Sequence, residues 1–89
     1  MNNLVVTVGR EEACVCAANP KRVALLIQNF GDVPVVVRIP VEPYRDELRL
    51  LKKFEVCEIG APYMVWLGAV YARAQNGVSD VGVAEEEAS

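Results

Sequence analysis

The softest metal ligands in this chain are three cysteines, at positions 14, 16 and 57, and there is no histidine. Without histidine the commonest general base is missing, and neither a Ser-His-Asp nor a Cys-His arrangement can be assembled. A closed four-ligand zinc site would need carboxylates or a second chain to complete it. Cys14 and Cys16 are two apart, so on a strand they would share one face and pack there as small apolar side chains. The odd count predicts reduced, buried thiols rather than a disulfide framework. Carboxylate pairs exist, Glu55 with Glu58 and Asp46 with Glu47. Acid–base work needs a shaped cleft, which so short a chain can hardly build, so these read as solvent-facing charges. The glycines at 9, 31, 60, 68, 77 and 82 fall singly, never at phosphate-loop or dinucleotide-loop spacing. The expectation is a protein that is not an enzyme, with no catalytic residue, cofactor or metal.

What remains is chemistry of contact. The segment Ala61-Pro62-Tyr63-Met64-Val65-Trp66-Leu67 holds the only tryptophan, one of three tyrosines and one of two methionines, flanked by Gly60 and Gly68. Two readings are open: the loop folds back to plug an end of the fold, or Tyr63, Met64 and Trp66, with Tyr44, anchor a neighbouring subunit, as aromatics and methionine do at interface cores.

Such residues need a scaffold, and 89 residues provide one core at most. The chain is 53% hydrophobic, dominated by Val, Ala and Leu, which excludes disorder for its body. Three of the twelve acids are Glu85, Glu86 and Glu87, leaving nine acids against nine bases in the rest. A neutral body has no electrostatic footprint for a phosphate backbone, so nucleic acid is not an expected partner. No apolar run approaches the ~18 residues of a membrane span, so a membrane is not expected either. The opening Met1-Asn2-Asn3-Leu4 has no basic, apolar secretory character, and synthesis in the cytosol is expected.

The pattern along the chain is of short strands between turn signals. Leu4 to Val8 and Ala13 to Ala17 are strands, the second stopped by Asn19-Pro20. Lys21 to Asn29 is apolar on both faces, Val23, Leu25 and Ile27 against Ala24 and Leu26, and should be central. After Gly31-Asp32, Val33 to Ile39 follows, and the two are expected to form a hairpin. Pro40 to Glu47 is expected as an exposed connection. Residues 43–52 could form a short helix through Tyr44, Leu48 and Leu51, but strand or irregular structure is favoured by the neighbouring segments. Phe54 to Ile59 alternates Phe54 and Val56 against Glu55. Ala69 to Ala74 puts Val70, Ala72 and Ala74 inward, with Tyr71 and Arg73 outward. Asn76-Gly77 then signals a type I′ hairpin to Val78–Ala84. Ala84 to Ser89 is acidic and expected to be mobile, giving a domain over 1–84 and a flexible tail over 85–89. Seven or eight short strands imply an all-β fold, a small antiparallel β-sandwich of jelly-roll type.

Two stretches resemble a known group. Asn19-Pro20-Lys21-Arg22 leading into Val23 to Ile27 and ending in Gln28-Asn29, then the Pro34 to Ile39 strand, is similar to the opening of small tailed-phage virion proteins. Gly68-Ala69-Val70-Tyr71-Ala72-Arg73-Ala74, Asn76-Gly77 and Val81-Gly82-Val83-Ala84-Glu85 resemble their closing strands. The likeness spans about two-thirds of the chain. It departs at Pro40 to Asp46, richer in proline and charge, and at Lys52-Lys53, where a glycine is usual. The resemblance implies a capsid decoration, cementing or other head- or tail-associated protein located in the virion. Its partners would be copies of itself, with a trimer favoured, and a major capsid or tail protein. The competing expectation is a carbohydrate-binding or adhesion module that stacks sugars on Tyr44, Tyr63 and Trp66; a redox or metal role for Cys14 and Cys16 is the third.

Overall fold

The computed structural model describes residues 2–42, 45–60 and 66–88. Among these residues there are eight strands: β1 (Asn2–Val8), β2 (Ala13–Cys16), β3 (Arg22–Asn29), β4 (Val35–Glu42), β5 (Arg45–Leu51), β6 (Val56–Gly60), β7 (Val70–Ala74) and β8 (Ser79–Glu87). They form two four-stranded sheets, a front sheet in the order β1-β8-β3-β6 and a back sheet in the order β2-β7-β4-β5. Every pairing is antiparallel. First pairs with last, second with seventh, third with sixth, and fourth with fifth. That is one long hairpin rolled over on itself, the winding of a jelly roll. The all-β sandwich expected from the strand pattern is therefore the fold, and β3 is an interior strand as its two apolar faces require.

The core lies between the sheets and is built by alternation, since successive strand residues point to opposite faces. β3 contributes Leu25 and Ile27, β4 contributes Val35, Val37 and Ile39, β7 contributes Val70, Ala72 and Ala74, and β8 contributes Val81 and Val83. Tyr71 and Arg73 point away, as their parity demands.

Several local expectations are corrected. β3 and β4 are not a hairpin, and neither are β7 and β8; in each case the chain crosses from one sheet to the other. Gly77 does adopt the positive φ of 74° that the Asn76-Gly77 pair suggested. A turn residue fixes local dihedrals, however, and both flanking strands carry a strongly apolar face, which they bury against each other across the core instead of side by side. Among the described residues the one pairing of consecutive strands is β4 with β5, where an exposed connection was expected. Pro40 sits inside β4 because it lies beyond Arg38, the last residue paired to β7, and at a register shift against β5. Its missing N–H is not needed there. Residues 45–51 are strand, the favoured of the two readings.

Further expectations change: Val23, expected on the face of Leu25 and Ile27, is 40% exposed beside a register shift between Arg22 and Ala24. On β6 the inward residues are Cys57 and Ile59, while Phe54 and Val56 are exposed. Phe54 is a turn residue with φ of 65°. Cys14 and Cys16 do not share a face, because a register shift between them turns Cys14 to solvent and Cys16 inward. Lastly, β8 runs through Glu87, past the expected boundary at 84, so Glu85 to Glu87 are strand residues paired with Arg22, Ala24 and Leu25 of β3.

Candidate functional site

The outer face of the front sheet carries exposed apolar surface. Register places Val5 of β1, Gly82 of β8, Gln28 of β3 and Val56 of β6 in one row across it, with Asn3, Ala84, Leu26 and Glu58 in the next. Because β8 presents only Gly82 and Ala84 here, the face sinks along that strand into an open trough of about 360 Å³ lined by Val5, Leu26, Gln28 and Phe30 among others. The Phe30 ring lies directly over Gly82, so any side chain at 82 would collide with it. Val5 is 62% exposed, Phe30 44% and Val56 45%. Phe54, at the corner before β6, is 59% exposed while holding a left-handed backbone that costs a bulky residue about 1–2 kcal/mol. Large exposed apolar areas of this kind mark contact surfaces.

This face ends at β1, and the four sheet edges are not alike. β2 is four residues long and bulged, β6 is five residues long and carries Glu58, and β5 carries Arg45, Asp46, Glu47 and Arg49. Short length, bulges and charges are the usual means of keeping an edge from pairing with another chain. β1 has none of them: it is seven residues, Asn-Asn-Leu-Val-Val-Thr-Val, bonded on one side to β8 in unbroken register.

The front sheet is held in shape by two buried polar nodes at the ends of β3. Arg22 has a side chain with no exposure, and all five guanidinium N–H groups are used. Nε donates to Glu85 Oε2 at 2.8 Å, one terminal nitrogen to the carbonyls of Trp66 and Gly68, and the other to the Ala17 carbonyl and Cys16 Sγ. One side chain thereby ties the end of β2, the chain before β7 and the far end of β8 to β3. Burial pushes the Glu85 carboxyl up, but hydrogen bonds from Arg22, Asn19 and Cys16 outweigh it and hold the group below the usual carboxylate range. Burial raises the Cys16 thiol, and likewise that of Cys57. At the other end, Asn29 is fully buried; its amide donates to the carbonyls of Val33 and Leu51, and its oxygen accepts from Gly31 N–H and the Ser79 hydroxyl. Arg22 and Asn29 bound the Asn-Pro-Lys-Arg to Gln-Asn stretch, which carried a sequence signal with no role assigned.

The back sheet's outer face mixes charge with the exposed Leu48 and Leu50 of β5. Arg38 takes Glu12 in two bonds of 2.6 and 2.9 Å, reaches Asp46 at 3.3 Å and lies 4.5 Å from the Tyr71 ring centre. The bond from Arg38 holds the Glu12 carboxyl below its ordinary range.

Of the interface residues expected from sequence, Tyr44, Tyr63 and Met64 lie outside the described residues. Trp66 is half-buried against the core, its Nε1–H donates to the Ala69 carbonyl at 2.9 Å, and its ring packs over Gly68. Sequence reasoning passed over Val5, Leu26 and Phe30; the signal available was the uncharged Asn2–Val8 run together with the small pair Gly82 and Ala84. Among the described residues no cluster of three cysteine or acidic side chains could hold a metal. Among the described residues no helix is long and apolar enough to cross a membrane. Comparison with protein-family models, curated proteins and solved structures yields no match.

Proposed function

We propose that this chain is a non-enzymatic assembly protein of a phage virion, a head-associated decoration or cementing subunit that works by self-association and by binding the virion lattice. The observation that carries the assembly reading is the uncharged, singly paired β1 edge running beside an exposed apolar sheet face. In isolation such an edge is an aggregation hazard, and inside an assembly it is a joint. The virion assignment rests on the sequence resemblance around Asn19 to Ile39 and Gly68 to Glu85. Jelly rolls build both viral shells and lectins, so the fold alone does not choose between them.

The sugar-binding alternative is weaker on one point: Trp66, its central stacking residue, has its ring against Gly68 and its N–H tied to a backbone carbonyl. Mass spectrometry of purified phage virions tests the proposal. The protein should be present at a copy number comparable to the capsid or tail subunits. Its absence from virions, together with saturable quenching of Trp66 fluorescence by a glycan, would replace the proposal with the sugar-binding reading.

A further inference from the structure

Deepening that assembly reading, and resting on it, we infer that the partner at β1 is a second copy of this chain, paired antiparallel across a two-fold axis at Val5 so that two four-stranded front sheets become one continuous sheet. Three observations lead there. First, register puts Leu4 opposite the buried Val83, hence on the inward face, yet Leu4 is 50% exposed because no strand lies beyond it. An inward-facing leucine left half in water indicates that the core continues into a neighbour. Second, the strand is self-complementary. Centred on Val5, the pairing sets Val5 against Val5, Leu4 against Val6, and Asn3 against Thr7, apolar with apolar and amide with hydroxyl. Residues of the same parity meet, so the outer faces of both copies join and so do the inner ones. Third, β1 carries no charge, so a copy meets no like charge on the strand. Asp80, the nearest acid in the adjoining row, falls in line with Ala84 of the other copy, because Thr7 pairs with Asp80 and Asn3 with Ala84. An extended peptide from an unrelated protein would also find free backbone groups here, but only the chain's own strand is matched at each of these positions.

An isologous edge of this kind closes as a dimer, which a second interface could build into a larger assembly of even copy number, and not as a trimer. Sedimentation equilibrium of the wild-type protein should show a concentration-dependent dimer. Val5→Lys, at a position 62% exposed and therefore tolerated by the monomer fold, sets two ammonium groups face to face and should weaken the dimer by more than about tenfold, with an unchanged circular dichroism spectrum. In a Cys14→Ser background, Val5→Cys should crosslink two copies on mild oxidation, whereas Asn3→Cys, which faces Thr7, should not. A dimer unaffected by Val5→Lys, or a trimer, would overturn the edge pairing while leaving the assembly reading in place. A strictly monomeric protein that does not bind virion shells would overturn both. A monomer whose β1 amides become protected from exchange only on adding shells would overturn self-pairing in favour of a strand supplied by the lattice.

Discussion

Arg22 shows what a buried charge requires. A guanidinium removed from water is tolerated only when its counter-ion and all its donors are met, and here one carboxylate, three carbonyls and a thiol meet them. Arg22→Met should therefore cost about 3–5 kcal/mol in denaturant unfolding, since Glu85 is left largely buried without its partner. The pH dependence follows from the same pair. The Glu85 carboxyl is lower in the folded state than its ordinary value of 4.5, so its stabilisation is complete above that value and is lost as pH falls through the folded value. Denaturation midpoints should be flat near neutrality and decline in acid, and Glu85→Gln should reduce that decline. Asn29→Leu strands the Ser79 hydroxyl, the Gly31 N–H and two carbonyls at once, at about 1–3 kcal/mol for each buried group left unpaired. Thiol titration of the native protein should count one fast group, Cys14, because burial raises the Cys16 and Cys57 thiols and withholds them from reagent.

At the scale of elements, β8 is the strand on which the front sheet depends, paired to β1 on one side and β3 on the other. Its acidic end was expected to be a tail because three glutamates in a row read as solvated. The structure gives those residues partners: Glu85 reaches Arg22, and the backbone continues pairing through Glu87. Removing residues 85–89 should consequently destabilise the fold by at least as much as Arg22→Met, where loss of a mobile tail would leave the unfolding midpoint unchanged. β4 holds the complementary lesson. Proline argued for a break, but Pro40 lies where neither neighbour needs its N–H, so the strand continues. Alternation was legible wherever a strand had one buried face, as in β7. It failed at β2, where a bulge changes the parity, and at β6, where both faces carry apolar side chains and only packing decides which one is covered.

For the whole molecule, the radius of gyration is 12.2 Å, about the value expected of a compact chain of this length. The winding joins the chain's two ends, β1 to β8, so most contacts are remote in sequence. Folding dominated by remote contacts is slow, and refolding followed by Trp66 fluorescence should take about milliseconds to seconds. A single thin core also makes each central side chain expensive to lose: Ile27→Ala, at a position with no exposure, should cost about 2–5 kcal/mol.

The sequence by itself determined that this is an all-β sandwich, which face of most strands is buried, and that β3 is central, because side-chain parity and hydrophobicity act locally and are written residue by residue. Only the tertiary structure decided which strands pair, which sheet each joins, that Arg22 and Asn29 are the polar nodes, and that β1 is an open edge. Those outcomes depend on what lies across the core or beyond the last strand, and neighbours brought together from opposite ends of the chain leave no mark in the local pattern.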